Sequence, residues 1–369
     1  MAATPVLDAV LDPVLENILD QARWAPSGDN TQPWRFEVRG ARQVVVHGFD
    51  TRSHCVYDLD GHPSQLSLGA LLESMALAAS AHGLRMDVQR RAGLPDTTPT
   101  FELDFVAEAG LQADPLAAFL AQRSVQRRAL STRSLCDAEK AALLASLPAG
   151  YSVRWLEGPR LRLACARLMF DNAKLRLTMP EAHAVHRDVI EWHARFSDTR
   201  IPDQALGVDA VTARLMHWIM GSWRRVEFFN TWLAGTLAPR LQMDLLPGWR
   251  CGAHFALLAE QPPRQLDDYV AAGRAMQRFW LAATALGLQL QPELTPLIFA
   301  RYVREQRVFS SAPGLPALAQ QLAQRTEALL GKNVAGRAVF LGRIGAGPAA
   351  TARSLRRPLR ELLVPGKEA

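Results

Sequence analysis

GALLESMALAASAHGL, residues 69–84, returns 204 residues later as GRAMQRFWLAATALGL, residues 273–288. Each copy runs from a glycine through thirteen residues to a Gly-Leu pair, Gly83-Leu84 and Gly287-Leu288. Leu-Ala-Ala, then Ser or Thr, then Ala fall at the same offsets in both. Small residues on one face let two helices approach backbone to backbone, and a glycine ends each helix by taking a positive φ. Two Ala-rich core helices can match by chance, but here both end glycines agree as well. The pattern reads as an internal duplication, with each small-residue helix packed on the other as in a fused dimer.

Working outward, residues 14–24 read as a helix, and WRFEVRG and RQVVVHGF as strands about a turn near Gly40-Ala41. Residues 64–83 form the first small-residue helix, and LRMDVQR follows as a strand. A further strand is expected over 95–106, helices around 115–130 and 137–146, and a strand at YSVRWLEG. From 160 to 245 the chain reads as mostly helical. The second small-residue helix covers 268–286, and RAVFLGRIG at 337–345 reads as a strand before a basic tail. The fold class is therefore α+β, layered, in two halves at 1–110 and 111–369. The second half carries a helical insertion near 205–250.

Composition bounds the function. Of 369 residues, 49% are hydrophobic and 21% charged, which suits a globular chain able to bury a core without staples. The four cysteines, at 55, 136, 165 and 251, are scattered and form no CxxC pair, which points to a reducing compartment and away from disulfides or a zinc cage. Net charge is +6, but no run of five basic residues occurs, so no nucleic-acid partner is expected. The first twenty residues carry Asp8, Asp12 and Glu16 and no basic segment, unlike a secretory signal. No apolar stretch is long enough to span a membrane. A cytoplasmic location is the expectation.

The two copies are incomplete in complementary ways. PSGDNTQPW, residues 26–34, lies only in the first, whereas RSVQRRAL, residues 123–130, opens the second. As a helix, the latter would put Arg123 and Arg127 on one face, with Arg128 beside them. A second basic cluster, RSLRRPL, brings Arg353, Arg356 and Arg357. Guanidinium forks suit phosphate oxygens, although a solvated basic face and a basic tail would look the same.

ARWAPSGDNTQPWRFEV, residues 22–38, resembles the signature turn of the FMN-dependent nitroreductase superfamily. GRAMQRFWLAATALGL resembles that family's central dimerisation helix, and RSVQRRAL and RSLRRPL its two arginine-rich phosphate segments. The segment from about 155 to 265 matches least. The resemblance implies a nitroreductase-like FMN-binding fold in its fused, twin-domain branch, an intramolecular pseudo-dimer with one flavin site. It implies that Arg123 and one of Arg353 or Arg356 hold the phosphate, that Arg127 faces N1 and O2 of the ring, and that Ser27 and Asn30 bond the ring edge. It also places a backbone N–H around Pro292 to Leu294 at N5. Gln32 and Trp34 read as structural, one satisfying turn amides and the other filling core. Two positions depart from the family pattern. Val125 stands where Ser or Thr is usual, and QPELT replaces an acidic-glycine pair.

The implied activity is hydride transfer from NAD(P)H through FMN to a small aromatic, nitro or quinone-like acceptor, with no side chain serving as catalytic acid. The alternatives are a flavin-sequestering protein with a capped site and a specialised biosynthetic flavin dehydrogenase. A monomer would suffice, and further dimerisation is left open. In residues 215–249, rich in tryptophan, Met216, Ile219, Met220, Trp223 and Val226 fall at helical spacing. Core packing, a lid over the flavin that includes Trp223, Phe228 and Trp232, and a membrane-surface helix all fit that spacing. Glu181, His183, His186 and His193 match no metal-ligand spacing, and no metal is expected. There is no dinucleotide fingerprint, Walker loop or hydrolase triad.

Overall fold

A computed structural model describes residues 11–365. The first ten residues and the last four, which carry part of the leader reading and the outer ends of the two expected halves, lie outside this range. The chain is a mixed α+β structure built on two four-stranded sheets.

The first sheet contains β1 (Trp34–Gly40), β2 (Gln43–Gly48), β3 (Leu84–Arg90) and β4 (Thr100–Ala107) in the order β1-β2-β4-β3. The second contains β5 (Tyr151–Leu156), β6 (Ala253–Ala259), β7 (Leu288–Pro292) and β8 (Ala338–Ala346) in the order β7-β8-β6-β5. Every pairing in both is antiparallel. The principal helices are α1 (Pro13–Ala22), α2 (His62–Ser80), α3 (Asp137–Ala145), α4 (Gly158–Leu177), α5 (Pro180–Val189), α6 (Ala210–Met220), α7 (Trp223–Trp232), α8 (Leu266–Ala285), α9 (Thr295–Arg304) and α10 (Leu315–Leu330). α1 begins where the sequence says it should. Asp12 Oδ1 accepts from the Val14 and Leu15 N–H groups, and Pro13 takes the first position, where a missing N–H costs nothing.

In each sheet the strand after the small-residue helix forms one edge. It pairs with the next strand along the chain, which pairs with the strand just before the helix. The helices α2 and α8 pack directly on each other. A Cβ on Gly69 would collide with the Val270 carbonyl, and one on Gly273 with the Leu66 carbonyl. Side chains fix the register. Gln277 Nε2 donates to Ser74 Oγ at 2.9 Å, and Arg278 reaches Glu73 and Asp114, each at 2.9 Å. One core cluster runs from Leu15 and Trp34 through Leu71 and Met75 to Phe255, Phe279 and Ile344, joining both sheets through the helix pair.

The structure departs from the sequence reading at several places. The helix expected over 115–130 is a single 3₁₀ turn at Pro115–Phe119. Beyond it, Val125 bridges in parallel to Leu290, and Gln126 N–H donates to the Leu290 carbonyl at 3.1 Å. Pinned to the edge of β7, the arginine segment is extended rather than helical. β6, β7, α9 and α10 were not anticipated. AHFALLA, which forms β6, is buried on both faces and so shows no polar alternation.

Glycine to alanine inside a helix ordinarily stabilises by about 0.5–1 kcal/mol. Overpacking costs roughly 1–3 kcal/mol or more, and at this contact it wins. Gly69→Ala and Gly273→Ala are each expected to lower Tm by about 2–6 °C in a thermal melt. A rise in Tm would show that the helices do not touch at these glycines.

Candidate functional site

The turn after α1 is strained. Asp29, Asn30 and Gln32 all have positive φ, at 50°, 61° and 49°. Non-glycine residues adopt this region only where their surroundings over-determine it. Here Ser27 Oγ accepts from the Gln32 N–H at 3.0 Å. Gln32 Nε2 donates to the carbonyls of Asn30 and Asp198, and its Oε1 accepts from the Arg357 N–H. Asn30 Nδ2 donates to the Asp198 and Arg200 carbonyls, and its Oδ1 accepts from Arg356 at 2.9 Å. Residues 353–354 pair in parallel with 196–197, which brings the C-terminal arginines alongside. The Gln32 side chain therefore serves the turn, and Trp34 is fully buried, as expected of both.

Turn, arginines and insertion border one cavity of about 380 Å³, within the range of cofactor sites, roughly 300–1,000 Å³. Ser27, Asn30, Arg123, Arg127, Leu294, Arg353 and Arg356 all line it. Trp223, Phe228 and Trp232 do not. α6 and α7 lie at the surface, with Trp232 73% exposed, and the insertion meets the cavity through Met216, Met220 and Met243. None of the three aromatic lid candidates reaches the cavity, whereas Met216 and Met220, at the same helical spacing, do. Flexible thioethers, not rings, form that wall.

Three arginines gather at one part of this cavity. Arg123 is 2% exposed, donates to the Trp24 carbonyl at 3.0 Å and lies 4.5 Å from the Trp280 ring centre. Arg356 donates to the Ala25 carbonyl at 2.9 Å. Arg353 donates to the Ala121 and Arg123 carbonyls and lies 5.0 Å from the Trp24 ring centre. Among the described residues, none of the three has a carboxylate partner, and the Nε atoms of Arg123 and Arg353 are buried without an acceptor. Burial, compounded by their mutual repulsion, pushes Arg123 well below the usual range and Arg356 to about 9. Buried charge of one sign with unspent donors is the condition that a bound anion relieves.

Sequence reasoning missed other lining groups. Asp29 faces the cavity, with its carboxyl pushed up by burial against the pull of Arg127 and Arg176. Tyr57 Oη and His186 Nε2 share a 2.8 Å hydrogen bond. Burial, with the Arg176 charge adding to it, pushes His186 down to about 3. The imidazole paired with the phenol is therefore neutral. Behind the wall, Glu293 bonds His254 Nδ1 at 2.7 Å and Arg343 at 3.0 Å, while Arg343 also holds the Arg127 carbonyl at 2.8 Å. QPELT thus supplies a buried acid that braces the arginine segment. Of the expected absences, no three-residue metal cluster occurs among the described residues, and no described helix is long and apolar enough to cross a membrane.

No protein-family model matches the chain. An uncharacterised protein of Mycobacterium tuberculosis (strain CDC 1551 / Oshkosh) is 24% identical over 307 residues, covering 80% of this chain and 41% of that protein. The chain thus spans about two fifths of the length of this curated relative. Among solved structures, a nitroreductase-like family protein from Bacillus cereus aligns with 67% of this chain and 94% of its own, at 14% identity and a TM-score of 0.32. The FMN-dependent nitroreductase of Mycobacterium smegmatis, solved in complex with NADPH, aligns with 67% and 96%, at 19% identity and a TM-score of 0.33.

Two outcomes are expected of the site. Inorganic phosphate at tens of millimolar raises the Tm of flavin-free protein, and Arg353→Gln abolishes the rise. An unchanged wild-type Tm counts against an anion site. For His186, the folded pKa of about 3 lies below an unfolded value near 6.5. Its contribution is fully present above pH 6.5 and is lost as pH falls from there towards 3, because only the unfolded chain takes up the proton. His186→Gln should therefore gain Tm relative to wild type as pH drops from 6.5 to 4.5. A constant difference between the two proteins would contradict the assignment.

Proposed function

We propose that the chain is an FMN-dependent oxidoreductase of nitroreductase type, with one flavin site assembled between two halves, 1–110 and 111–369, of a fused pseudo-dimer. The carrying observation is the cluster of buried Arg123 and Arg356 with half-buried Arg353, none paired with a carboxylate among the described residues, meeting the strained Ser27–Gln32 turn across one cavity. The matching strand orders about α2 and α8, and the glycine contact between those helices, support the duplication.

The residues fit the cofactor. A phosphate dianion would take up the unspent Nε donors of Arg123 and Arg353, with the charge of Arg356 beside them. Arg127, pushed down to about 10 by burial, would offer a cation to the ring's polar edge. Ser27, Asn30 and Leu294, at the start of α9, line the cavity and would border the ring. Bound FMN supplies hydride transfer between NAD(P)H and a small aromatic, nitro or quinone-like acceptor. Met216, Met220 and Met243 would give the ring an apolar wall. Because one chain provides the turn and the arginines, no second copy is needed. The wall also favours a second reading, a flavin-sequestering protein with slow turnover.

The test is the absorbance spectrum of the purified protein after incubation with FMN, repeated anaerobically with NADPH. A flavin band that bleaches within seconds is expected. A persistent band would favour sequestration, and no band would overturn the flavin reading. Arg123→Gln should weaken FMN binding roughly 10- to 100-fold, the worth of one charged hydrogen bond at about 1.5–3 kcal/mol.

A further inference from the structure

The cavity has a second charged region. Arg176, in the last turn of α4, borders it and lies close enough to Asp29, Tyr57, His186 and Asp244 to shift the titration of all four. The arginine cluster is held by other partners, the carbonyls of Trp24, Ala121 and Ala25. Arg176 is poorly satisfied. Its ion pair with Asp244 is long, at 3.5 Å, and its Nε is buried without an acceptor. Tyr57 and His186 satisfy each other. Met216, Met220 and Met243 line the cavity too, from the insertion, and offer soft apolar surface.

We propose that Arg176 anchors a carboxylate on the electron acceptor, so that the protein selects flat aromatic carboxylates over their neutral analogues. The geometry decides the charge. A guanidinium whose Nε is buried without an acceptor, and whose carboxylate partner lies at 3.5 Å, favours an added anion. Asp29 and Asp244 close by leave room for one negative charge rather than a phosphate dianion. Arg127 and Arg176 flank Asp29 and disfavour a cation there. This inference rests on the flavin reading for the acceptor's role, but the anion site itself does not need the flavin.

The experiment titrates 4-nitrobenzoate and 4-nitrobenzamide into the FMN-loaded protein, following the flavin absorbance, and repeats both by calorimetry. The wild type should bind the carboxylate about tenfold more tightly than the amide, the scale of one charged hydrogen bond. Arg176→Gln that still takes up FMN should bind the two within twofold of each other, with Arg176→Lys between. Asp244→Asn should tighten carboxylate binding, since it removes the competing partner, which a purely structural role for the pair would not do. Equal wild-type affinity for the two probes overturns the proposal without any variant. If no FMN binds, the flavin reading falls, and calorimetry on the flavin-free protein still decides the anion site.

Discussion

The direct contact of two helix backbones governs this molecule. At Gly69 and Gly273 no side chain separates α2 from α8, and each glycine lies against a carbonyl of the opposite helix. Any Cβ there would force the helices apart. The sheets are fastened to those helices through one continuous core, so their separation is set by the same contact. The site inherits this spacing. Arg123 lies over Trp280 of α8, while the loop carrying Tyr57 leads into α2.

The cavity stores a charge problem that the fold tolerates by several small means. The guanidiniums of Arg123, Arg353 and Arg356 spend donors on main-chain carbonyls, and two lie against indole faces. None of these contacts neutralises charge. They hold the groups in place while burial works against their ionisation. Buried unpaired charge of this kind costs the protein stability. The strained turn follows the same logic, since three left-handed residues are kept in place by the side chains of Ser27, Asn30 and Gln32.

Much of this was legible in the residues. The repeated Gly-to-Gly-Leu helices announced the central contact, and Ser27, Asn30 and the arginines all reach the cavity. The failures have physical causes. RSVQRRAL has ordinary helical composition, and only its pairing with Leu290, 165 residues away, makes it extended. Period-based reading cannot see a doubly buried strand such as β6. In the insertion, aromatic residues drew attention as wall candidates, but rings on exposed helices face outward and methionines face in. Asp29 was quoted within the turn and passed over, because a lone Asp between Gly and Asn reads as turn chemistry. Arg176 and Asp244 come from segments with no local signature, and Glu293 from QPELT, which was noted only as a departure. Their meeting is a property of the tertiary fold alone.

The hydrogen bond between Arg356 and Asn30 joins residues 326 positions apart. On a ribosome moving at about 5–20 residues per second, roughly 16–65 s separate synthesis of the turn from synthesis of its arginine partner. Until then the turn has its own Ser27–Gln32 and Gln32–Asn30 bonds but lacks the clamp from Arg356. The cavity is therefore among the last parts of the chain to take shape, after both sheets have their strands. A ligand that needs both the turn and Arg356 can bind only once residue 356 has been made.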